Sequence, residues 1–291
     1  MPKTALPLHL LADMSRNVVL YAQYHPHGHL LPHARASISA LLDAGCIVHA
    51  GCAADAVTGV PADREARGEL ERRGAVFHQR RNAGLDFGSW QELLRLGCAR
   101  GAGRVLLVND STLGPLRPIA PILDAMRPHP AWGMVASRQI RPHLQSWFVC
   151  LDAALLETTP LTRIFAQDFA SMSREEIILH GEIGLSAALE AARVTPAARW
   201  TGGRRHLGRL MPPTNPAHVD WRRMLRRVPF VKIELLRDDP SHLAPPAAWH
   251  RVLRAFDYPL EWAEAAIAAV PARRQPVRLN WRGRAVHRLL R

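Results

Sequence analysis

Between residues 17 and 108, apolar runs of strand length alternate with segments of helical period, and a sheet covered by helices buries both kinds of surface. Asn17-Val-Val-Leu-Tyr21 reads as a short strand leading through a Pro/Gly/His loop into a helix over about 31–44. In that helix Leu31, Ala34, Ile38, Leu41 and Leu42 recur at helical spacing, Gly45 suits the C′ position, and Cys46 to Ala50 is the next strand. A charged helix over about 62–73, a strand at Ala75 to His78, a helix over about 89–100 and a strand at Arg104 to Val108 continue the alternation. The expected fold class is α/β: a mainly parallel sheet with helices on both faces.

Beyond Asp110 the pattern is less regular. It predicts helices over about 118–127, 160–169 and 174–192, and strands at Trp132 to Val135 and Ser146 to Leu151. Ser173 and Glu176 have the spacing of a capping box. The Gly-, Pro- and Arg-rich segment from Trp200 to Pro216 reads as a lid or binding loop. A helical region follows over 246–270, so the chain divides into a main domain over 17–240 and a helical C-terminal extension over 241–291.

The net charge of +13 suggests a nucleic-acid partner until its distribution is considered. Residues 272–291 carry seven arginines and no acid, more than half the excess. Only Trp281 interleaves an aromatic ring with that tail, so nucleic acid is not the expected partner. Arginines mixed with Val277, Leu279, Trp281 and Leu289 suit an anionic membrane surface instead, the other reading being a disordered or packed tail with a genomic arginine bias. No apolar stretch approaches the roughly 20 residues of a membrane helix. The N-terminal run is broken by prolines and shows no convincing cleavage site, so a cytoplasmic protein, peripheral at the inner membrane, is expected. Cys46, Cys52, Cys98 and Cys150 show no CxxC spacing, and neither a disulfide framework nor a zinc site is expected.

Two stretches can carry chemistry. In Arg80 to Trp90, Asn82, Gly84, Asp86 and Gly88 lie between a strand and a helix. Such a turn either brings backbone close to a phosphate or sugar, or is a tight connection with Asn82 and Asp86 as local caps. In Val105 to Thr112 an apolar strand ends in Asn109, Asp110 and Ser111. Ligands of open α/β sheets bind at strand carboxyl ends, although a turn or cap before Pro115 has the same composition. His25, His27, His29 and His33 have no acidic partner nearby, and Tyr21 with His25 is expected to border a donor-base loop after the first strand.

Asn82-x-Gly84-x-Asp86-x-Gly88-x-Trp90, then Asn109-Asp110-Ser111 and Gly114-Pro115, resembles the rhamnan synthesis protein F family. Further matches are His143-Leu-Gln-Ser-Trp-Phe148, Glu182-Ile-Gly-Leu-Ser186, Asn215-Pro216 and Pro229 to Arg237, so the resemblance covers roughly 17–240. It implies a glycosyltransferase of GT-A type, Rossmann-type in fold, acting in polysaccharide, O-antigen or lipopolysaccharide synthesis. The donor would be a nucleotide-diphosphate sugar such as a rhamnose donor, and the acceptor a lipid-linked or polysaccharide chain.

Carried over, Tyr21, His25, Asn82, Gly84, Asp86, Gly88, Asn109, Asp110 and Ser111 would bind the donor. Asp110 would hold Mg²⁺ or Mn²⁺, although one carboxylate of the usual Asp-x-Asp pair is missing and arginines could neutralise the diphosphate instead. An inverting transfer needs a base for the acceptor hydroxyl, for which Glu182 is the first candidate and Asp86 the second, a position on an exposed helix face being the other reading of Glu182. His143, Gln145, Lys232 and Arg237 would meet acceptor or diphosphate, with a satisfied core histidine the other reading of His143. The alternative function is a non-catalytic polysaccharide-assembly or nucleic-acid-binding protein working through its basic tail.

Overall fold

The structure is a computed structural model describing residues 13–56, 63–202, 215–239 and 244–272. Its first half is the expected alternation: β1 (Asp13–Tyr24), α1 (Pro32–Asp43), β2 (Ile47–Ala54), α2 (Arg64–Arg72), β3 (Val76–Arg81), α3 (Leu85–Arg95) and β4 (Ala102–Asn109). Strands β3, β2, β1 and β4 lie side by side in parallel.

The second half continues with β5 (Thr112–Leu113), α4 (Ala120–Ala125), β6 (Ala131–Ser137), β7 (His143–Leu144), β8 (Phe148–Asp152) and α5 (Thr159–Phe165). Next come α6 (Arg174–Glu176), a π-helical turn at Ile177–Ile183, α7 (Gly184–Ala191) and β9 (Ala197–Trp200). Among the described residues the main sheet has eight strands in the order β3-β2-β1-β4-β8-β6-β7, with β9 also on β6. Strand β8 runs antiparallel to both β4 and β6, as β7 does to β6, whereas β9 is parallel to β6. The sheet is therefore mixed at this end, as strands joined by short connections must be.

The near-continuous apolar strands follow from burial on both faces. Val19 and Tyr21 of β1 pack with Leu106 and Val108 of β4 beneath α1. Val18 and Leu20, with Val105 and Leu107, face Phe87, Trp90 and Leu93 of α3. Both strand ends thus open between two helix layers, where ligand sites form in such sheets.

The chain closes through α8 (Pro216–Val219), α9 (Trp221–Met224), β10 (Val231–Lys232), α10 (Ile233–Asp238), α11 (Pro246–Arg254) and α12 (Leu260–Ala268). β10 pairs antiparallel with β5, matching Lys232 to Thr112. Leu113, Leu116, Trp221, Leu235, Leu253 and Ala263 share one buried cluster, and α12 lies against α1 and α10.

Helix α3 begins four residues earlier than the sequence pattern suggests, which places Asp86 in its first turn. The expected capping box is present, with the Ser173 hydroxyl accepting from the Glu176 N–H and the Glu176 carboxylate accepting from the Ser173 N–H. Among the described residues no helix is long and apolar enough to cross a membrane. The arginine-rich tail from Arg273 onward and most of the expected 200–216 loop fall outside the described residues.

Candidate active site

Gly84, at φ +72°, and Leu85, at φ +51°, turn the chain from β3 into α3. A Cβ on Gly84 would lie 2.9 Å from that of Phe169, and one on Gly88 would meet the Ala83 carbonyl oxygen. Packing alone therefore demands glycine at both positions. The turn presents Asp86, whose Oδ1 accepts from the Phe87 N–H at 3.0 Å and whose Oδ2 accepts from the Asn109 side-chain amide at 2.8 Å. Burial raises the Asp86 pKa above the usual carboxylate range. Asn109, Phe87 and Lys232 pull against this shift, and the charge of Glu182 adds to it.

At the end of β4 three consecutive side chains diverge. The Asn109 Oδ1 accepts from the Ser111 hydroxyl at 2.6 Å and from its N–H at 3.1 Å. The Asp110 Oδ2 accepts from the Tyr24 N–H at 2.9 Å, joining the ends of β4 and β1. Burial lifts the Asp110 carboxyl to about 7, with the charge of Asp86 adding to the rise and the N–H groups of Tyr24 and Asp110 opposing it. The Asp110 carbonyl accepts from the imidazole Nε2 of His33 at 3.0 Å. His33 belongs to α1 and is 2% exposed, so it is part of the scaffold rather than of the preceding loop.

The β5–β10 pair carries Lys232 to this strand end, where its Nζ donates to the Ser111 hydroxyl at 3.2 Å and lies 5.6 Å from the centre of the Trp147 ring. Burial lowers the Lys232 pKa, and Glu182, Glu234 and Asp86 oppose that shift. Glu182 projects from the π-helical turn, where Gly181 packs so closely that a Cβ would sit 2.8 Å from the Phe87 ring. Its Oε2 accepts from the Ser146 N–H at 2.6 Å and hydroxyl at 2.7 Å, and its Oε1 lies 3.4 Å from the His143 Nε2. Burial pushes Glu182 upward, but these donors and Lys232 bring it to a net pKa below the usual value. His143 is 6% exposed and its Nδ1 donates to the Arg141 carbonyl at 2.8 Å. Burial lowers the imidazole pKa, yet Glu182 and that carbonyl raise it overall, favouring imidazolium.

Asp86, Asn109, Asp110, Ser111, Lys232, Glu182 and His143 thus form one linked group at the carboxyl ends of β1 and β4. Asn82 stands beside it: its amide donates to Asp55 at 2.9 Å, and Asp55 also accepts from the Tyr24 hydroxyl at 2.8 Å. The remaining expected residues have other partners. Tyr21 is fully buried in the core beneath α1, and the His25 Nδ1 accepts from the N–H groups of His27 and His29 within its own turn. Gln145 donates to Asn215 at 2.7 Å and accepts from the Trp147 indole at 3.0 Å, and Arg237 pairs with Asp238 at 2.7 Å. The roles of Ser146 and the Tyr24 N–H escape sequence reading, and His33 reads with the loop histidines although it lies in α1, because a serine beside a strand or a histidine inside a helix carries no distinguishing spacing.

Chemically, the group combines carboxylates of raised pKa, better proton acceptors than an ordinary carboxylate, with an ammonium suited to an anion. A separate groove lined by Arg199, Trp200, Gly202, Arg223, Arg226 and Arg227 shares no residue with it and contains no carboxylate.

No curated protein matches the chain. Among solved structures, the crystal structure of HddC from Yersinia pseudotuberculosis aligns over 64% of this chain and 90% of that one, at 11% identity and a TM-score of 0.35, too low to carry a comparison of sites. The family described as rhamnan synthesis protein F matches residues 62–274, most of the chain. That match spans α2 to α12 and includes Asp86, Asp110, Glu182 and Lys232, so the chain belongs to the rhamnan synthesis protein F family of polysaccharide-biosynthesis enzymes.

Proposed function

We propose that this enzyme is a glycosyltransferase that moves a sugar, a deoxyhexose such as rhamnose, from a nucleotide-diphosphate donor onto a surface-polysaccharide acceptor. The observation that carries the reading is the group at the sheet's carboxyl end, where the raised carboxyl of Asp86 feels both the ammonium of Lys232 and the neighbouring raised carboxyl of Asp110.

In this reading Asp86 removes the proton of the acceptor hydroxyl as its oxygen bonds to the anomeric carbon. The bond from that carbon to the donor's diphosphate breaks, and the departing charge is met by Lys232. We assign the base to Asp86 rather than Glu182 because three donors already engage Glu182 and hold its carboxyl low, which weakens it as a base. Glu182 instead raises the pKa of His143 and opposes the burial that lowers that of Lys232.

The Asp110 carboxyl also fits a hard divalent cation, being a buried oxygen donor that faces the like charge of Asp86. Asp110 would hold Mg²⁺ or Mn²⁺, which supplies neutralisation of the diphosphate when bound. The acceptor would be lipid-linked, with the arginine-rich tail holding the enzyme against anionic lipid.

Thermal unfolding in the presence of nucleoside diphosphates, with and without Mn²⁺, tests donor recognition. A rise in Tm with one nucleotide, abolished by Lys232→Ala, supports the reading. No rise with any of them would count against it.

A further inference from the structure

We propose that His49, His78 and Cys98 form a binding site for one Zn²⁺ ion, separate from the Asp86 group. The His49 Nδ1 lies 3.2 Å from the His78 Nε2, the Cys98 Sγ lies 3.6 Å from that same Nε2, and all three atoms are within 4.8 Å of one another. With metal–nitrogen bonds of about 2.0–2.1 Å and a metal–sulfur bond of about 2.3 Å, a tetrahedral ion sets its ligands about 3.3 Å (N to N) and about 3.6 Å (N to S) apart. Two of the three spacings match those edges, and the third, between the His49 Nδ1 and the Cys98 Sγ, is no more than 4.8 Å, so an ion fits after a shift of at most about 1 Å.

Hydrogen bonding accounts for the cluster less well. A neutral imidazole nitrogen has one lone pair or one proton, so the His78 Nε2 can make one good hydrogen bond, yet two polar atoms converge on it. A cation satisfies all three. The ligand types, two imidazoles and one thiol, are those that select zinc over Mg²⁺ or Ca²⁺.

Three elements supply these ligands, which hides them from any reading of spacing. The parallel register pairs His49 with Val76 and Gly51 with His78, so both histidines point to one face of the sheet. That is the α3 face, since Gly51 packs against Ser89 and Leu93. Cys98 follows the end of α3, where its N–H donates to the Leu93 carbonyl at 3.0 Å. Asp86 lies at the opposite end of this helix, about 15 Å away at 1.5 Å per residue. The ion would therefore pin the far end of α3 to β2 and β3, with water as its fourth ligand.

The test is metal titration of the full-length chain after chelator treatment, using Zn²⁺ and then Co²⁺ as a spectroscopic probe. The proposal expects about one equivalent of zinc retained through gel filtration, and a thiolate-to-cobalt charge-transfer band in the near ultraviolet. Cys98 is the one partly exposed thiol, since Cys46, Cys52 and Cys150 are 5%, 0% and 2% exposed, so the band reports on it. Cys98→Ser should lose the band, and His78→Gln should weaken zinc at least about tenfold. If either variant fails to fold, the wild-type titration decides alone. Failure of the wild type to take up stoichiometric metal overturns the site, as does binding without the charge-transfer band, which would indicate the histidine-rich turn instead. A band that survives in Cys98→Ser overturns it equally. None of these outcomes bears on sugar transfer.

Discussion

The Asn109 amide donates to the Asp86 carboxylate at 2.8 Å, tying the end of β4 to the first turn of α3. This bond fixes where one oxygen of Asp86 points and partly opposes the rise in its pKa. Asn109→Ala removes the donor, and the Asp86 pKa should climb further. The expected outcome is an acidic limb of the pH–rate profile displaced upward, read from kcat/KM against pH, with a modest loss at the optimum. An unchanged limb would show that Asp86 does not titrate in the rate.

Glu182→Gln keeps the shape of the side chain while removing the charge that raises His143 and supports Lys232. The His143 pKa should fall, visible in the NMR titration of its ring protons, and stability should drop by about 2 kcal/mol because charge-assisted bonds from Ser146 become neutral ones. A His143 that titrates as before would remove Glu182 as the cause of its shift.

Gly88→Ala should destabilise the chain by about 1–3 kcal/mol, because the new Cβ meets the Ala83 carbonyl oxygen in the turn that presents Asp86. Chemical denaturation measures the loss. An alanine tolerated at no cost would mean that the turn has room to relax.

The pH dependence of stability has two opposed contributions at one place. Burial lowers the His33 pKa to about 4, against about 6.5 unfolded, so its contribution is complete above about pH 6.5 and is lost as pH falls to about 4. Asp110 is raised to about 7 against about 3.9, so its contribution is complete below about pH 3.9 and is lost as pH rises to about 7. Relative to the wild type, His33→Gln should gain about 3 kcal/mol as pH falls from 6.5 to 4, and Asp110→Asn about 4 kcal/mol as pH rises from 4 to 7. Urea unfolding across this range measures both. Parallel curves for a variant and the wild type would contradict the shift assigned to that residue.

The strands and helices of residues 17–108 were legible because short continuous apolar runs alternate with segments whose apolar residues follow the 3.6 period. The strand end at Asn109-Asp110-Ser111 was legible for the same reason, since three polar residues abruptly close an apolar run. Long-range pairings leave no such trace. Nothing in the sequence around Lys232 announces that β10 pairs with β5 and brings the ammonium to Ser111. Likewise, the meeting of His49, His78 and Cys98 depends on a strand register and a helix end, neither of which any motif encodes.

The most direct test of the account is acceptor-dependent release of nucleoside diphosphate from a nucleotide sugar, compared between the wild type and Asp86→Asn. The account predicts turnover by the wild type. It also predicts a fall in kcat of on the order of 10² to 10⁴ in Asp86→Asn, with donor affinity nearly unchanged by calorimetry. An Asp86→Asn enzyme that turns over at the wild-type rate would contradict it.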